Sequence, residues 1–114
     1  MEYINSKDQR RYVNEINDIV AYLNEAVDTH YRPTSSITQR LIIGRLREGF
    51  TVEDFKTVID KKCEQWLNTD FEMYLRPITL FDSKHFEDYL NQRIYRKRYK
   101  GITNDFNSIT PRRL

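Results

Sequence analysis

Side chains capable of acid–base or metal chemistry are few in this sequence of 114 residues. His30 and His85 are the only histidines, and neither has a second His or Cys at ligand spacing, so we expect no zinc site. The adjacent carboxylates of Glu53 and Asp54 would fall on different sides of a helix, which prevents them from acting as a pair. The glycines at 44, 49 and 101 form no phosphate-binding loop. We therefore predict that the chain is not an enzyme and holds no metal or cofactor.

Composition indicates the setting in which the chain works. Its single cysteine, Cys63, cannot form an internal disulfide, which favours a buried thiol in a reducing cytosol. The longest apolar run is the five residues 19–23, too short to span a membrane, and the N-terminus does not resemble a secretory signal. We expect a protein of the bacterial cytoplasm with no membrane partner.

Charge is distributed unevenly along the chain. Residues 1–90 hold 12 basic and 16 acidic residues, a net charge of −4, whereas residues 91–114 hold seven basic residues and one acidic residue, a net charge of +6. On a helix, Arg93, Arg96, Lys97 and Lys100 would share one face, and Tyr95 and Tyr99 another. Such a face can neutralise phosphates while the tyrosines stack on bases. The predicted nucleic-acid-binding residues are Arg93, Arg96, Lys97, Arg98 and Lys100.

Two other interpretations of the basic stretch stay open. It can be a solvated helix end whose cations complement the helix dipole. Alternatively, its tyrosines anchor a protein partner, because tyrosine and arginine are common interface anchors. The eight tyrosines of the chain cannot all be buried comfortably, so we expect some of them at an interface, with a homodimer as one alternative. The predicted partner-binding residues are Tyr3, Ile4, Tyr95 and Tyr99.

Apolar residues recur at helical spacing through most of the chain. The pattern predicts helices near 13–28, 36–48 and 52–67, a helical turn at 71–75, a short apolar segment at 78–81, and a last helix starting near 84 and capped by Asp82 or Ser83. The fold class is therefore all-α: a compact bundle of four to five helices with a flexible N-terminal arm and a basic C-terminal tail. We assign residues 1–12 to the arm, 13–95 to the helical domain and 96–114 to the tail.

The helix near 52–67 is predicted to be the central packing element. Gly49 suits the position just past the preceding helix, and Thr51 with Asp54 forms a variant capping box. Its apolar stripe is expected to enter the core and comprises Phe55, Val58, Ile59, Cys63 and Trp66. In the preceding helix, the pattern places Ile37 on the inner face and Arg45 on the solvent face.

Several ordered blocks resemble the conserved C-terminal domain of phage replisome organisers, DnaD-like replication initiation proteins of phages and prophages of Gram-positive bacteria. The blocks are 19–24 (IVAYLN), 31–35 (YRPTS), 45–60 (RLREGFTVEDFKTVID), 66–67 (WL), 74–81 (YLRPITLF) and 86–91 (FEDYLN). The resemblance covers residues 19–91 and implies a helical domain that contacts DNA and the helicase-loading machinery. It implies no catalytic residues.

The resemblance also departs from the family pattern. Members usually carry an N-terminal winged-helix domain, whereas only about a dozen residues precede the helical part here, so we expect the C-terminal module alone. Our leading hypothesis is a phage protein that binds the host helicase loader or replicative helicase and blocks or diverts host replication. The alternative is a DNA-binding accessory factor that uses the basic tail on single-stranded DNA.

Overall fold

The structure, a computed structural model, describes residues 5–93, and within them the fold is all-α, as the sequence predicts. The α-helices are α1 (Ser6–Arg11), α2 (Val13–Val27), α3 (Ser36–Arg47), α4 (Val52–Trp66), α5 (Pro77–Leu80) and α6 (Phe86–Asn91). A 3-10 turn spans Glu72–Tyr74. None of the described residues forms a strand, and no helix among them is long and apolar enough to cross a membrane.

Helix α4 packs against α2, α5, α6 and the 3-10 turn, which gives it the central place predicted from its apolar stripe. Phe55 is fully buried, with its ring centroid 5.0 Å from that of Phe81 and 4.8 Å from that of Phe86. Phe50 adds an edge contact to Phe86 at 4.9 Å. Such aromatic pairs contribute about 0.5–1.5 kcal/mol each beyond the area they bury, so this cluster joins α4 to both short helices that follow it.

The capping box at the start of α4 is present as predicted. The Thr51 hydroxyl accepts from the Asp54 backbone N–H at 3.2 Å, and the Asp54 carboxylate accepts from the Thr51 N–H at 2.9 Å. Gly49, with φ of 104°, adopts the left-handed region after α3 that favours glycine.

Two short helices lie where the sequence indicated none. Residues 6–11, inside the predicted arm, form α1 because the Asn5 side chain caps it by accepting from the Asp8 N–H at 2.8 Å. Pro77 occupies the first helical position of α5, where its missing N–H costs nothing. Arg76 is extended, as expected before a proline, but the proline then starts a helix.

The last helix begins at Phe86, two residues later than predicted. It ends at Asn91, because Gln92 is extended, and neither Asp82 nor Ser83 caps it. Asp82 instead closes the preceding turn, where its side chain accepts from the Lys84 N–H at 3.3 Å and lies 2.9 Å from the His85 Nδ1.

Predicted faces of α3 need correction at two positions. Ile37, expected inside, is 51% exposed, whereas Arg45, expected in solvent, is only 1% exposed. The polar partners that make the burial of Arg45 tolerable come from Glu48 and from the distant carbonyl of Phe81.

Candidate protein-binding surface

A continuous series of five rings covers one side of the molecule where α4, the 3-10 turn and α6 meet. Successive ring centroids lie 6.4, 6.1, 6.2 and 5.7 Å apart. In order, the rings belong to Phe71, Tyr74, Trp66, Tyr89 and His85. We call this set the aromatic ridge.

The ridge is unusually open to solvent for its composition. Phe71 is 55% exposed and Tyr74 38%, and the neighbouring Met73 and Ile78 are 68% and 54% exposed. Trp66, expected in the core, is only partly buried because it stands in the last turn of α4, beyond the fully buried Phe55, Val58 and Ile59. Exposed apolar residues grouped in this way mark interaction sites more often than ordinary surface.

A buried lysine lies under the centre of the ridge. Lys62 is 2% exposed, and its Nζ stands 4.0 Å from the centroid of Trp66 and 4.4 Å from that of Tyr89. The ammonium also donates to the side-chain oxygens of Gln65 at 2.7 Å and Gln92 at 3.2 Å. Burial lowers the pKa of Lys62 below its usual range, because desolvation disfavours the charged form.

The position of Lys62 affects what the ridge can bind. Its ammonium occupies one face of both Trp66 and Tyr89, and the ring contacts of Trp66 with Tyr74 and Tyr89 are edge-on. Bases stack on open ring faces, so this arrangement is poorly suited to single-stranded nucleic acid. Trp, Tyr, Phe and Met are instead enriched at the centres of protein–protein interfaces.

Reactive groups near the ridge are held in unreactive states. Desolvation raises the pKa of Cys63 to about 11, and the carboxylates of Asp60 and Glu72 add to the shift. A thiol at neutral pH is a poor nucleophile and metal ligand. Among the described residues, no group of three or more His, Cys, Asp or Glu side chains could hold a metal ion. The absence of enzyme activity stays a prediction.

Most of the predicted site residues lie outside the described part of the chain. These residues are Tyr3, Ile4, Tyr95, Arg96, Lys97, Arg98, Tyr99 and Lys100. Arg93 is described and exposed, but it lies beyond the end of α6 and therefore does not share a helical face continuing from it. His85 is exposed and makes its contacts to Asp82 and Tyr89 at the surface.

The structure adds a basic surface that the sequence pattern did not indicate. Helix α1 turns Asp8 and Gln9 toward α3, where they contact Arg47 and Gln39 at 3.4 and 3.0 Å. Helical geometry then directs Lys7, Arg10 and Arg11 away from α3, and all three are exposed. These cations lie on one face only because residues 6–11 form a helix where the sequence predicts an arm.

The central part of the chain matches the profile of a known protein family. Residues 19–91 match the profile of the family described as a conserved phage C-terminus. The chain belongs to this family. No curated protein and no solved structure matches the chain. The matched span of the conserved phage C-terminus family runs from the second turn of α2 to the last residue of α6. It includes every ring of the aromatic ridge and leaves out α1.

Proposed function

We propose that this phage protein is a non-enzymatic binding module that engages a host replication-initiation component, the helicase loader or the replicative helicase. Binding would block or divert host DNA replication. The sequence blocks that resemble those of phage replisome organisers support the choice of process. The exposed side of the aromatic ridge has the amino-acid composition that is typical of the centre of a protein–protein interface. This composition supports binding of a protein partner.

The aromatic ridge is the single observation that carries the proposal. Its outer end presents Phe71 and Tyr74 together with the adjacent Met73 within four residues of chain, each more than a third exposed. The turn that presents them is rigid, because the Thr69 hydroxyl accepts from the Phe71 N–H at 3.0 Å and the Glu72 side chain accepts from the Asn68 N–H at 2.8 Å. A rigid turn loses little entropy on binding, which favours anchor residues placed on it.

Purified host helicase loader and replicative helicase provide the direct test, with binding measured by biolayer interferometry. The double variant Phe71→Ala/Met73→Ala should weaken binding to one of them by about 30-fold or more, the effect of removing about 2 kcal/mol at a hot spot. Its thermal stability should change little, because both side chains are exposed.

The matched control is Val13→Ala/Ile37→Ala, which removes two apolar side chains of similar exposure, 46% and 51%, away from the ridge. This control should bind like the unaltered chain. Absence of binding to both host proteins at about 100 μM, or an equal loss in control and ridge variants, would contradict the proposal.

A second candidate function is DNA binding as an accessory factor of phage replication, and the cationic face of α1 favours it. Within the described residues, Lys7 and Arg10 have no ion-pair partner, and Arg11 contacts only the ring of Tyr12, at 5.3 Å. This face and the basic tail would contact phosphates, so affinity should fall steeply with salt.

Fluorescence anisotropy with a 20-nucleotide single strand and a 20-bp duplex tests this function. Arg96→Ala/Lys97→Ala/Arg98→Ala should lower affinity, and the slope of log affinity against log salt should fall by about one per lost phosphate contact. Lys7→Ala/Arg10→Ala/Arg11→Ala should add to the loss. The function is ruled out if the unaltered chain shows no affinity for either DNA at about 50 mM salt, or if both triple variants bind as it does.

A further inference from the structure

The surface around the aromatic ridge is acidic as well as apolar. Residues 61–91, which supply all five rings and also Lys61 and Lys62 beside them, hold six acidic side chains and four Lys or Arg, a net charge of −2. The acidic residues are Glu64, Asp70, Glu72, Asp82, Glu87 and Asp88. One of these charges acts on a ring of the ridge: burial raises the pKa of Tyr89, and the negative charge of Asp82 raises it further. A segment that covers this surface should therefore combine aromatic or apolar side chains with positive charge.

The chain leaves the described fold at the edge of this same surface. The Lys61 ammonium donates to the backbone carbonyls of Leu90 and, at 2.9 Å, Gln92. The Gln92 side chain accepts from Lys62 at 3.2 Å and from Gln65 at 3.1 Å. These four contacts, three of them to Gln92, hold the end of α6 against the last turns of α4, one turn from Trp66. Whatever follows Arg93 therefore starts next to the centre of the ridge.

The segment that starts there has the chemistry that the surface requires. Residues 94–114 hold six basic residues and one acidic residue, a net charge of +5. They also carry seven large apolar or aromatic side chains, which are Ile94, Tyr95, Tyr99, Ile102, Phe106, Ile109 and Leu114. A segment of 21 residues can extend about 70 Å, so length does not prevent it from running along all five rings. Attachment at the ridge gives it an effective concentration on the order of millimolar.

We propose that residues 94–114 bind the aromatic ridge of their own chain and shield it until a partner displaces them. Apolar side chains of the segment would contact the ring edges, while its cations would face the acidic residues around the ridge. A protein that docks on the ridge must then compete with the segment, a consequence that rests on the proposed function. An anionic ligand of the segment, such as DNA, would favour exposure of the ridge.

Trp66 offers a direct measurement, because it is the only tryptophan and stands in the middle of the ridge. Its access to solvent is read from acrylamide quenching of its fluorescence in the full-length chain. At about 0.1 M salt, Arg96→Glu/Lys97→Glu/Arg98→Glu should raise the quenching constant about twofold. The unaltered chain at about 1 M salt should approach the same value, because the Debye length falls from about 10 to about 3 Å. Phe106→Ala/Ile109→Ala should raise quenching at both salt concentrations.

Two controls separate this shielding from general effects. Lys7→Glu/Arg10→Glu/Arg11→Glu makes the same charge change on α1 and should leave quenching unaltered. Glu87→Lys/Asp88→Lys, on α6, should raise quenching, and combining it with the charge-reversed tail should restore shielding. Circular dichroism must show the same helix content in every variant compared.

Equal quenching constants for the unaltered chain and the tail variants would overturn the proposal. Shielding that grows between about 1 and 100 μM protein would also overturn it, since that result assigns the contact to a second copy. No replication protein is present in this assay, so its outcome is independent of whether the helicase loader or the helicase binds.

Discussion

Arg45 shows most clearly how a single residue can change its role between pattern and structure. Its Nη1 donates to the Phe81 carbonyl at 2.9 Å, and its Nε and Nη2 each donate to a different oxygen of Glu48 at 3.0 Å. One guanidinium thus joins the end of α3 to the end of α5 across 36 residues of chain. A planar fork with several donors suits this position, and a lysine could not reproduce the bidentate contact.

Replacement of Arg45 by Ala should lower the free energy of unfolding by about 2–5 kcal/mol, because it leaves a cavity and an unpaired buried carbonyl. Urea unfolding followed by circular dichroism measures the change. Arg40→Ala, on the same helix but partly exposed, should cost no more than about 0.5 kcal/mol. Similar losses for the two variants would show that the contacts of Arg45 contribute little.

At the scale of elements, the turn from α3 to α4 is defined by local interactions. Gly49 supplies the left-handed residue after α3, and Thr51 and Asp54 each satisfy a backbone N–H at the start of α4. Both devices were visible in the sequence because they depend on residues no more than three positions apart. Since α4 packs against four other elements, the precision of its start affects the whole domain.

Thr51→Ala should therefore destabilise the fold by about 1 kcal/mol, the typical cost of losing an N-cap side chain. Thr57→Ala serves as the matched control, because the Thr57 hydroxyl donates only to the Glu53 carbonyl within the helix, at 2.9 Å. Alanine has the higher helix propensity there, so the control should be neutral or slightly stabilising. Thermal unfolding compares the two, and equal midpoints would contradict the importance of the capping box.

At the scale of the whole molecule, several titratable groups make the free energy of unfolding depend on pH in the alkaline range. A hydrogen bond of 2.7 Å to Asp60 raises the pKa of Tyr22 from 10.0 to about 12. Burial raises the pKa of Cys63 from 9.0 to about 11 and also raises the pKa of Tyr89. The folded state keeps these three protons longer than the unfolded state. Their stabilising contribution is complete below the unfolded pKa values and is lost as pH rises through the folded ones.

Lys62 acts in the opposite direction. Its pKa in the folded state lies below 10.5, so the folded state releases this proton first as pH rises. The free energy of unfolding therefore increases with pH until the lysine of the unfolded chain also loses its proton.

We therefore expect the free energy of unfolding to fall clearly between about pH 10.5 and 12, where only the two tyrosines and the cysteine still make it depend on pH. Urea unfolding at pH 7, 10.5 and 11.5 measures this. Tyr22→Phe should cost about 1 kcal/mol at pH 7, and its free energy of unfolding should fall less steeply with pH than that of the unaltered chain.

The parts of this protein that sequence predicted correctly depend on short-range patterns. Helical periodicity located α2, α3 and α4 to within one residue at each end, and the resemblance predicted a phage domain over residues 19–91, the span that the profile of the conserved phage C-terminus family matches. The link to replisome organisers and the role of the basic tail stay predictions.

Only the tertiary structure decided which surface is available for binding. Trp66 continues the apolar stripe of α4, but it lies in the last turn, where α6 and the 3-10 turn cover it only in part. Arg45 and Lys62 carry charge that a helical pattern assigns to solvent. Each is nonetheless buried, because its polar partners come wholly or partly from residues about 30 or more positions away in the chain. Periodicity shows which face of one helix is apolar, whereas burial depends on which neighbouring elements pack against that face. The aromatic ridge is exposed because the neighbouring elements cover its rings only in part.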